Sequence, residues 1–172
     1  MTDVLQTARL RLRHFERRDA AFILELLNEP SWVANIGERH VRDLAQAEAW
    51  IEEKLVAVYA RLGFGFWAVE RQEDGALLGM CGLIRRDTLP AADLGYAFVP
   101  RAWGRGYARE AAAACLHHAR AALGLAEVLA ITGPDNQASQ RLLADLGFTL
   151  RETTVLAGET RQTQVWVAPA AA

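Results

Sequence analysis

A chain of 172 residues with 52% hydrophobic content has material for one ordinary core and too little for two full domains. Its net charge of -2 gives no overall attraction to nucleic acid, and no apolar run approaches the roughly 20 residues that a membrane-spanning helix needs. Two cysteines, Cys81 and Cys115, cannot build a disulfide framework, and the N-terminus lacks a basic stretch followed by an apolar core, so a reduced cytoplasm is the expected location.

Along the chain two periodicities alternate. Leu10-Arg11-Leu12-Arg13 alternates apolar and polar residues as a half-buried strand does, and Arg17-Arg18-Asp19 opens a helical spacing through Phe22, Ile23, Leu26 and Leu27. Pro30 is expected to stop that helix. Residues 31–42 follow neither period and read as a structured loop. Asp43 with Gln46 three residues on is a capping-box arrangement, after which Leu44, Ala47, Ile51, Leu55, Val58 and Leu62 turn one helical face toward a core. Residues 66–69 and 76–84 read as strands around an Asp74-Gly75 turn. A strand from Asp93, a helix from Tyr107 to Leu123, a short buried strand over 128–131 and a fourth helix closed by Gly147 come next. Two last strands span 148–155 and 160–167, and residues 169–172 form a tail expected to fray behind a single domain, 1–168. The central strand-helix-strand-helix run implies parallel pairing and the terminal hairpins antiparallel pairing. The expected fold is therefore single-domain α/β, a mixed sheet with helices on both faces.

The most informative stretch is Trp103-Gly104-Arg105-Gly106-Tyr107-Ala108-Arg109, between the strand run closed by Pro100 and the alanine-rich helix. Glycine permits positive φ and leaves room against the backbone, and a first helical turn leaves N–H groups unpaired at the positive end of the macrodipole. With Arg101, Arg105 and Arg109 around it, this turn reads as a cradle for a ligand carrying several phosphates. A Walker loop is excluded, since both its spacing and its Lys-Ser/Thr pair are missing. A dinucleotide fingerprint is poorly matched: Arg109 stands where the third glycine belongs, and Glu127 precedes the next strand instead of ending it. His117 and His118 are adjacent and so point apart on a helix, which gives no metal pair; no metal is expected. Cys81 in an apolar run reads as a buried strand residue, and Ser139 lies in no G-x-S-x-G elbow.

From about Ala8 to Phe148 the chain resembles the GNAT superfamily of N-acetyltransferases, whose pyrophosphate loop is [Gln/Arg]-x-x-Gly-x-[Gly/Ala]. Gly106 and Ala108 match, while Trp103 departs at the first position. Asp93-Leu94-Gly95-Tyr96 before the loop, and Asn136-x-x-Ser139 and Gly147-Phe148 after it, stand in the order and spacing of that superfamily. The tryptophan-glycine loop and the serine after the asparagine are similar to the branch containing ribosomal-protein N-terminal acetyltransferases. The resemblance implies acetyl-CoA as co-substrate, held by the turn from Trp103 to Arg109 and by Asn136, with its pantetheine amides pairing at Phe98 and Val99. It also implies direct acetyl transfer to an amine, whether a peptide N-terminus, an amino acid or a small amine, by a monomer or homodimer.

Such chemistry sets requirements. A lysine-like amine, with a pKa of roughly 10, must lose its proton before attack, while a departing thiolate, with a pKa of roughly 8.5, needs little more than one donor. In many relatives that donor is a tyrosine seven residues after the asparagine; here the position is Leu143. Ser139, three residues after the N-cap Asn136, is the expected acid. Asp93 is the first choice of base, with Glu38 and His40 behind it and ordered water as the alternative. Trp32, Glu38, Arg39 and His40 are expected to read the acceptor together with the C-terminal hairpin. Two other classes stay open here: a non-catalytic acyl-CoA-binding sensor, which would keep the loop and lose the acid, and a magnesium-dependent nucleotide-binding protein.

Overall fold

The strand-forming runs build the centre of the molecule. In the computed structural model, which describes residues 2–171, they are β1 (Asp3–Gln6), β2 (Leu10–Arg13), β3 (Phe66–Arg71), β4 (Leu77–Ile84), β5 (Asp93–Phe98), β6 (Leu129–Thr132), β7 (Thr149–Val155) and β8 (Gln162–Val167). The helices are α1 (Ala20–Leu27), α2 (Pro30–Asn35), α3 (Leu44–Ile51), α4 (Ala57–Leu62), α5 (Tyr107–Ala121) and α6 (Gln137–Asp145). The sheet order is β1-β2-β3-β4-β5-β6-β8-β7, and β5–β6, joined through α5, is its one parallel pair. This is the mixed sheet expected from the sequence, with β1 added at one edge.

Side-chain alternation decides which helix covers which face. Trp67 of β3 and its cross-strand partner Cys81 of β4 face α5, whose His118 meets the Trp67 ring edge-on at 5.4 Å between centroids. Leu94, Tyr96 and Phe98 share that side, where Tyr96 reaches α6. Arg13, Ala68 and Met80 lie on the opposite face, and there Arg13 binds Asp19 at the entry to α1. Phe15, Ile23, Leu26 and Leu27 are buried as their spacing predicts.

Three local expectations change. Pro30 opens a helix instead of only ending one: its fixed φ and missing N–H suit the first position of α2, so residues 30–35 are helical where a loop was expected. A π-helical stretch, Glu52–Val56, joins α3 to α4 and lengthens the step between core residues, which become Ala47, Ile51, Leu55 and Tyr59. Val58 and Leu62 are left half-buried, and Leu44, one turn before the first core contact, is 52% exposed. The cap itself forms, with Asp43 accepting the Gln46 N–H at 2.8 Å, but the Gln46 side chain accepts from Arg42 N–H. Finally, Ala168 N–H binds the Val128 carbonyl at 2.9 Å and the Pro169 carbonyl accepts from Arg120, so the chain is held one residue beyond the expected start of fraying. Among the described residues no helix is long and apolar enough to cross a membrane, and no three His, Cys, Asp or Glu residues gather as a metal site.

Candidate active site

β5 and β6 pair only at Asp93–Leu129 and Leu94–Ala130, after which they part. Hydrogen-bonded positions alternate along β5 against β4. Val99 N–H goes to the Leu78 carbonyl at 3.0 Å, so the main-chain groups of Tyr96 and Phe98 point the other way, into the gap. The Phe98 carbonyl there accepts from Trp103 Nε1 at 2.8 Å, a bond that folds the following turn back on the strand. Val99 is a correction: its N–H is spent on Leu78 and its carbonyl accepts Ala102 N–H at 2.9 Å, which leaves nothing to pair with a ligand.

Beyond the short 3-10 turn Pro100–Ala102, Gly104 and Gly106 adopt φ of 72° and 79°, the left-handed region that glycine enters without cost. Gly106 caps α5, and its carbonyl accepts the first intrahelical bond, from Glu110 N–H at 3.0 Å. The N–H groups of Tyr107, Ala108 and Arg109 therefore lack helical partners. Arg105 and Arg109 are exposed beside them, whereas the Tyr107 side chain is buried and offers only its backbone. Arg101 turns away to pair with Glu25 of α1. Its place is taken by a residue that the sequence did not single out. Arg9, from the β1–β2 turn, donates to the Arg105 carbonyl at 2.9 Å and to Glu110 at 2.7 Å, with its guanidinium 4.4 Å over the Tyr107 ring. A contact between residues 96 and 101 positions apart has no local signature.

α6 begins where expected, with the Asn136 side chain accepting Ser139 N–H at 3.2 Å. Ser139 Oγ lies 2.7 Å from the hydroxyl of Tyr96. Burial pushes the Tyr96 phenol up to about 12, against the lowering effect of the serine bond. Leu143 is fully buried in the core. Asp93, three residues before Tyr96, lies on the opposite face of β5 and is 1% exposed. Arg86 engages both its oxygens, Nε to Oδ2 at 2.8 Å and Nη2 to Oδ1 at 3.2 Å. Burial raises the Asp93 carboxyl above its ordinary range and Arg86 opposes that rise.

The expected acceptor residues divide. Trp32 is a core residue at 6% exposure, because α2 turns it inward, and it presents no surface to an acceptor. Glu38 accepts from His40 N–H at 2.8 Å and from Arg42 at 2.5 Å, and these bonds hold its carboxyl below the ordinary range. Arg39 and His40 are exposed, His40 with a left-handed φ of 56°. Arg161, in the turn between β7 and β8, donates to the Ala34 carbonyl at 3.2 Å and so joins the C-terminal hairpin to α2. A hydroxyl and a buried carboxylate thus flank β5 from opposite faces beside an open gap, and a turn rich in free N–H groups lies at its end.

These features suit an extended, multiply phosphorylated co-substrate, and comparison with known proteins agrees. The sequence profile of the acetyltransferase (GNAT) domain matches residues 9–149. YkkB of Bacillus subtilis (strain 168) is 32% identical over 154 residues, 87% of each chain. The N-acetyltransferase YoaA of the same strain is 30% identical over 149 residues, 86% of this chain and 84% of its own. Ribosomal-protein-S5-alanine acetyltransferase from Vibrio fischeri has the same fold, with a TM-score of 0.79 over 97% of this chain and 96% of that one at 18% identity. The chain belongs to the GNAT acetyltransferase family, with acetyl-CoA as its acetyl donor.

Proposed function

We propose that the chain is an N-acetyltransferase whose acceptor is a primary amine, of a peptide N-terminus, an amino acid or a small molecule, attacked directly in a ternary complex. The observation that carries this reading is the parting of β5 from β6 where Ser139 stands over Tyr96. Acetyl-CoA supplies a thioester-activated acetyl group. The main chain of Phe98, the N–H groups of residues 107–109 and the side chains of Arg105 and Arg109 bind it. Trp103 fixes the turn through the Phe98 carbonyl, Gly104 and Gly106 leave the backbone open, and Asn136 sets the start of α6. Ser139 donates its hydroxyl proton to the leaving sulfur and regains one from solvent, so that the serine ends the step neutral.

On the other face the buried Asp93 receives the amine proton through ordered water, not by contact with the acceptor. Its raised carboxyl suits a base, and the longer of its two bonds to Arg86 gives way to the incoming proton. Retention of both a hydroxyl and a carboxylate favours catalysis over a binding-only module. Ser139→Ala should lower kcat by about ten- to a thousandfold, and Asp93→Asn by about a hundred- to ten-thousandfold, as single acid–base groups do. Release of free CoA measured at saturating substrates tests both. Rates within about twofold of the parent in folded variants would assign proton transfer to solvent.

The acceptor enters between residues 36–42 and the β7–β8 turn, which the Arg161 bond to Ala34 brings together. Because Arg42 already neutralises Glu38, this entrance offers no free carboxylate there to a polycation. Glu38→Gln loosens the turn through His40 and Arg42, and Arg39→Ala removes an exposed charge. Each should raise the acceptor KM by about two- to fivefold, the worth of a surface charge, with the KM for acetyl-CoA unchanged. Steady-state kinetics in which neither variant alters the acceptor KM would put the acceptor elsewhere.

A further inference from the structure

We infer that Tyr96 is a positioning residue of the acetyl transfer: its phenol donates to Ser139 Oγ, leaving the serine proton free and directed into the gap between β5 and β6. The inference rests on the reading of Ser139 as the acid. The two hydroxyl oxygens are 2.7 Å apart, and either could donate. The phenol's other neighbour, the Ser139 main-chain carbonyl, is 3.4 Å away and competes poorly. A phenol is the stronger acid and the weaker acceptor of the two, so Tyr96 donates and Ser139 accepts. Ser139 stands in the first turn of α6, where the carbonyl four residues earlier lies outside the helix, and its hydroxyl is turned to Tyr96.

The fold explains why the phenol comes from the strand. Position 143 of α6 is filled by a fully buried leucine, while alternation along β5 sends Tyr96 toward α6. Geometry explains why Tyr96 positions and does not itself act as the acid. Its hydroxyl is engaged by Ser139, with Oγ at 2.7 Å and the main-chain carbonyl at 3.4 Å, so its proton points at the serine and not into the gap. That hydrogen bond holds Ser139 in one rotamer and polarises its O–H.

Two measurements test this. The chain has three tyrosines, Tyr59, Tyr96 and Tyr107, so 13C-labelling of tyrosine Cζ gives an assignable spectrum. In the free protein Ser139→Ala should move the Tyr96 resonance and leave the other two; an unmoved Tyr96 resonance would overturn the hydrogen bond. In kinetics, Tyr96→Phe should lower kcat by about three- to tenfold, the worth of one neutral hydrogen bond, with both KM values unchanged. In a Ser139→Ala background it should have no further effect, since the two then act as a unit. Full, independent effects in the double variant would refute the inference. So would a Tyr96→Phe kcat within twofold of the parent while Ser139→Ala is slow, an outcome that leaves the acid assignment standing. A Ser139→Ala enzyme as fast as the parent would remove both. Should Tyr96→Phe misfold, 3-fluorotyrosine at position 96 keeps the hydroxyl and strengthens its donation; kcat should then match or exceed the parent, and a fall would overturn the proposal.

Discussion

Replacing Gly106 with valine should weaken acetyl-CoA binding by at least about a hundredfold and leave the fold standing. Gly106 sits at φ 79°, where a residue with a Cβ pays about 1–2 kcal/mol and a β-branched one more. A stability of about 5–15 kcal/mol absorbs that strain. Binding cannot, for two reasons. The residue caps α5, so a shift in its dihedrals re-aims the N–H groups of Tyr107, Ala108 and Arg109, each worth about 1.5–3 kcal/mol to a charged acceptor. Its Cβ would also come into van der Waals contact, at 3.4 Å, with the Arg9 guanidinium that holds the Arg105 carbonyl from behind, and the γ-methyls of valine add bulk beyond that contact beside the exposed N–H groups. Losing two such hydrogen bonds exceeds the roughly 2.8 kcal/mol of a hundredfold change. Asparagine tolerates the left-handed region, so Gly106→Asn separates strain from occlusion: it should fold like the parent and still bind weakly. Gly104→Asn, at a position with nothing within 4 Å of the added Cβ, should bind more nearly like the parent. Calorimetry with acetyl-CoA, beside thermal melts, decides it, and parental affinity in a folded Gly106→Val would remove the turn from the binding site.

What was legible in the sequence is what short-range physics encodes. The caps at Asp43 and Asn136, the glycine turn and the helix after it all rest on residues within one helical turn of each other, and all are found in place. The mixture of antiparallel hairpins with a parallel crossover follows from the same runs, whereas the place of β8 between β6 and β7 does not. What was not legible depends on a count or a distance that no window contains. One widened turn at Glu52–Val56 exchanges Val58 for Tyr59 on the core face, and an extra residue in a helix leaves no mark in a spacing of apolar residues. Trp32 looks like a recognition residue because its segment lacks a period, yet one short helix buries it. Val99 fails as a ligand partner by strand parity, which needs the register against Leu78. The pairing of Tyr96 with Ser139 spans 43 residues; each could be named from a motif, and only the fold brings the two hydroxyls together.

The second large effect concerns stability, and it starts from a charge in the core. Arg13 is 3% exposed, donating to Asp19 at 2.8 and 2.9 Å, to Glu70 at 3.0 Å and to the His14 carbonyl at 3.0 Å. Asp19 and Glu70 are themselves 5% and 7% exposed, and Arg11 gives Glu70 its other partner. The cluster ties β2 to β3 and to the entry of α1. Arg13→Met keeps most of the volume and removes the guanidinium, which leaves two carboxylates buried with one cation at the rim. Breaking a buried pair in this way costs about 3–5 kcal/mol, mostly through the charges left behind. At about 2–4 °C per kcal/mol for a chain of this size, Tm should fall by about 6–20 °C. Adding Asp19→Asn and Glu70→Gln removes the stranded charges and should recover much of the loss. Damage should fall on the face that carries α1 and α2, so acetyl-CoA affinity measured well below the new Tm should match the parent. Denaturant unfolding that shows a loss under about 1 kcal/mol for Arg13→Met would mean that the two carboxylates do not depend on Arg13 for compensation, and that packing on both faces of the sheet holds β2 in place without it.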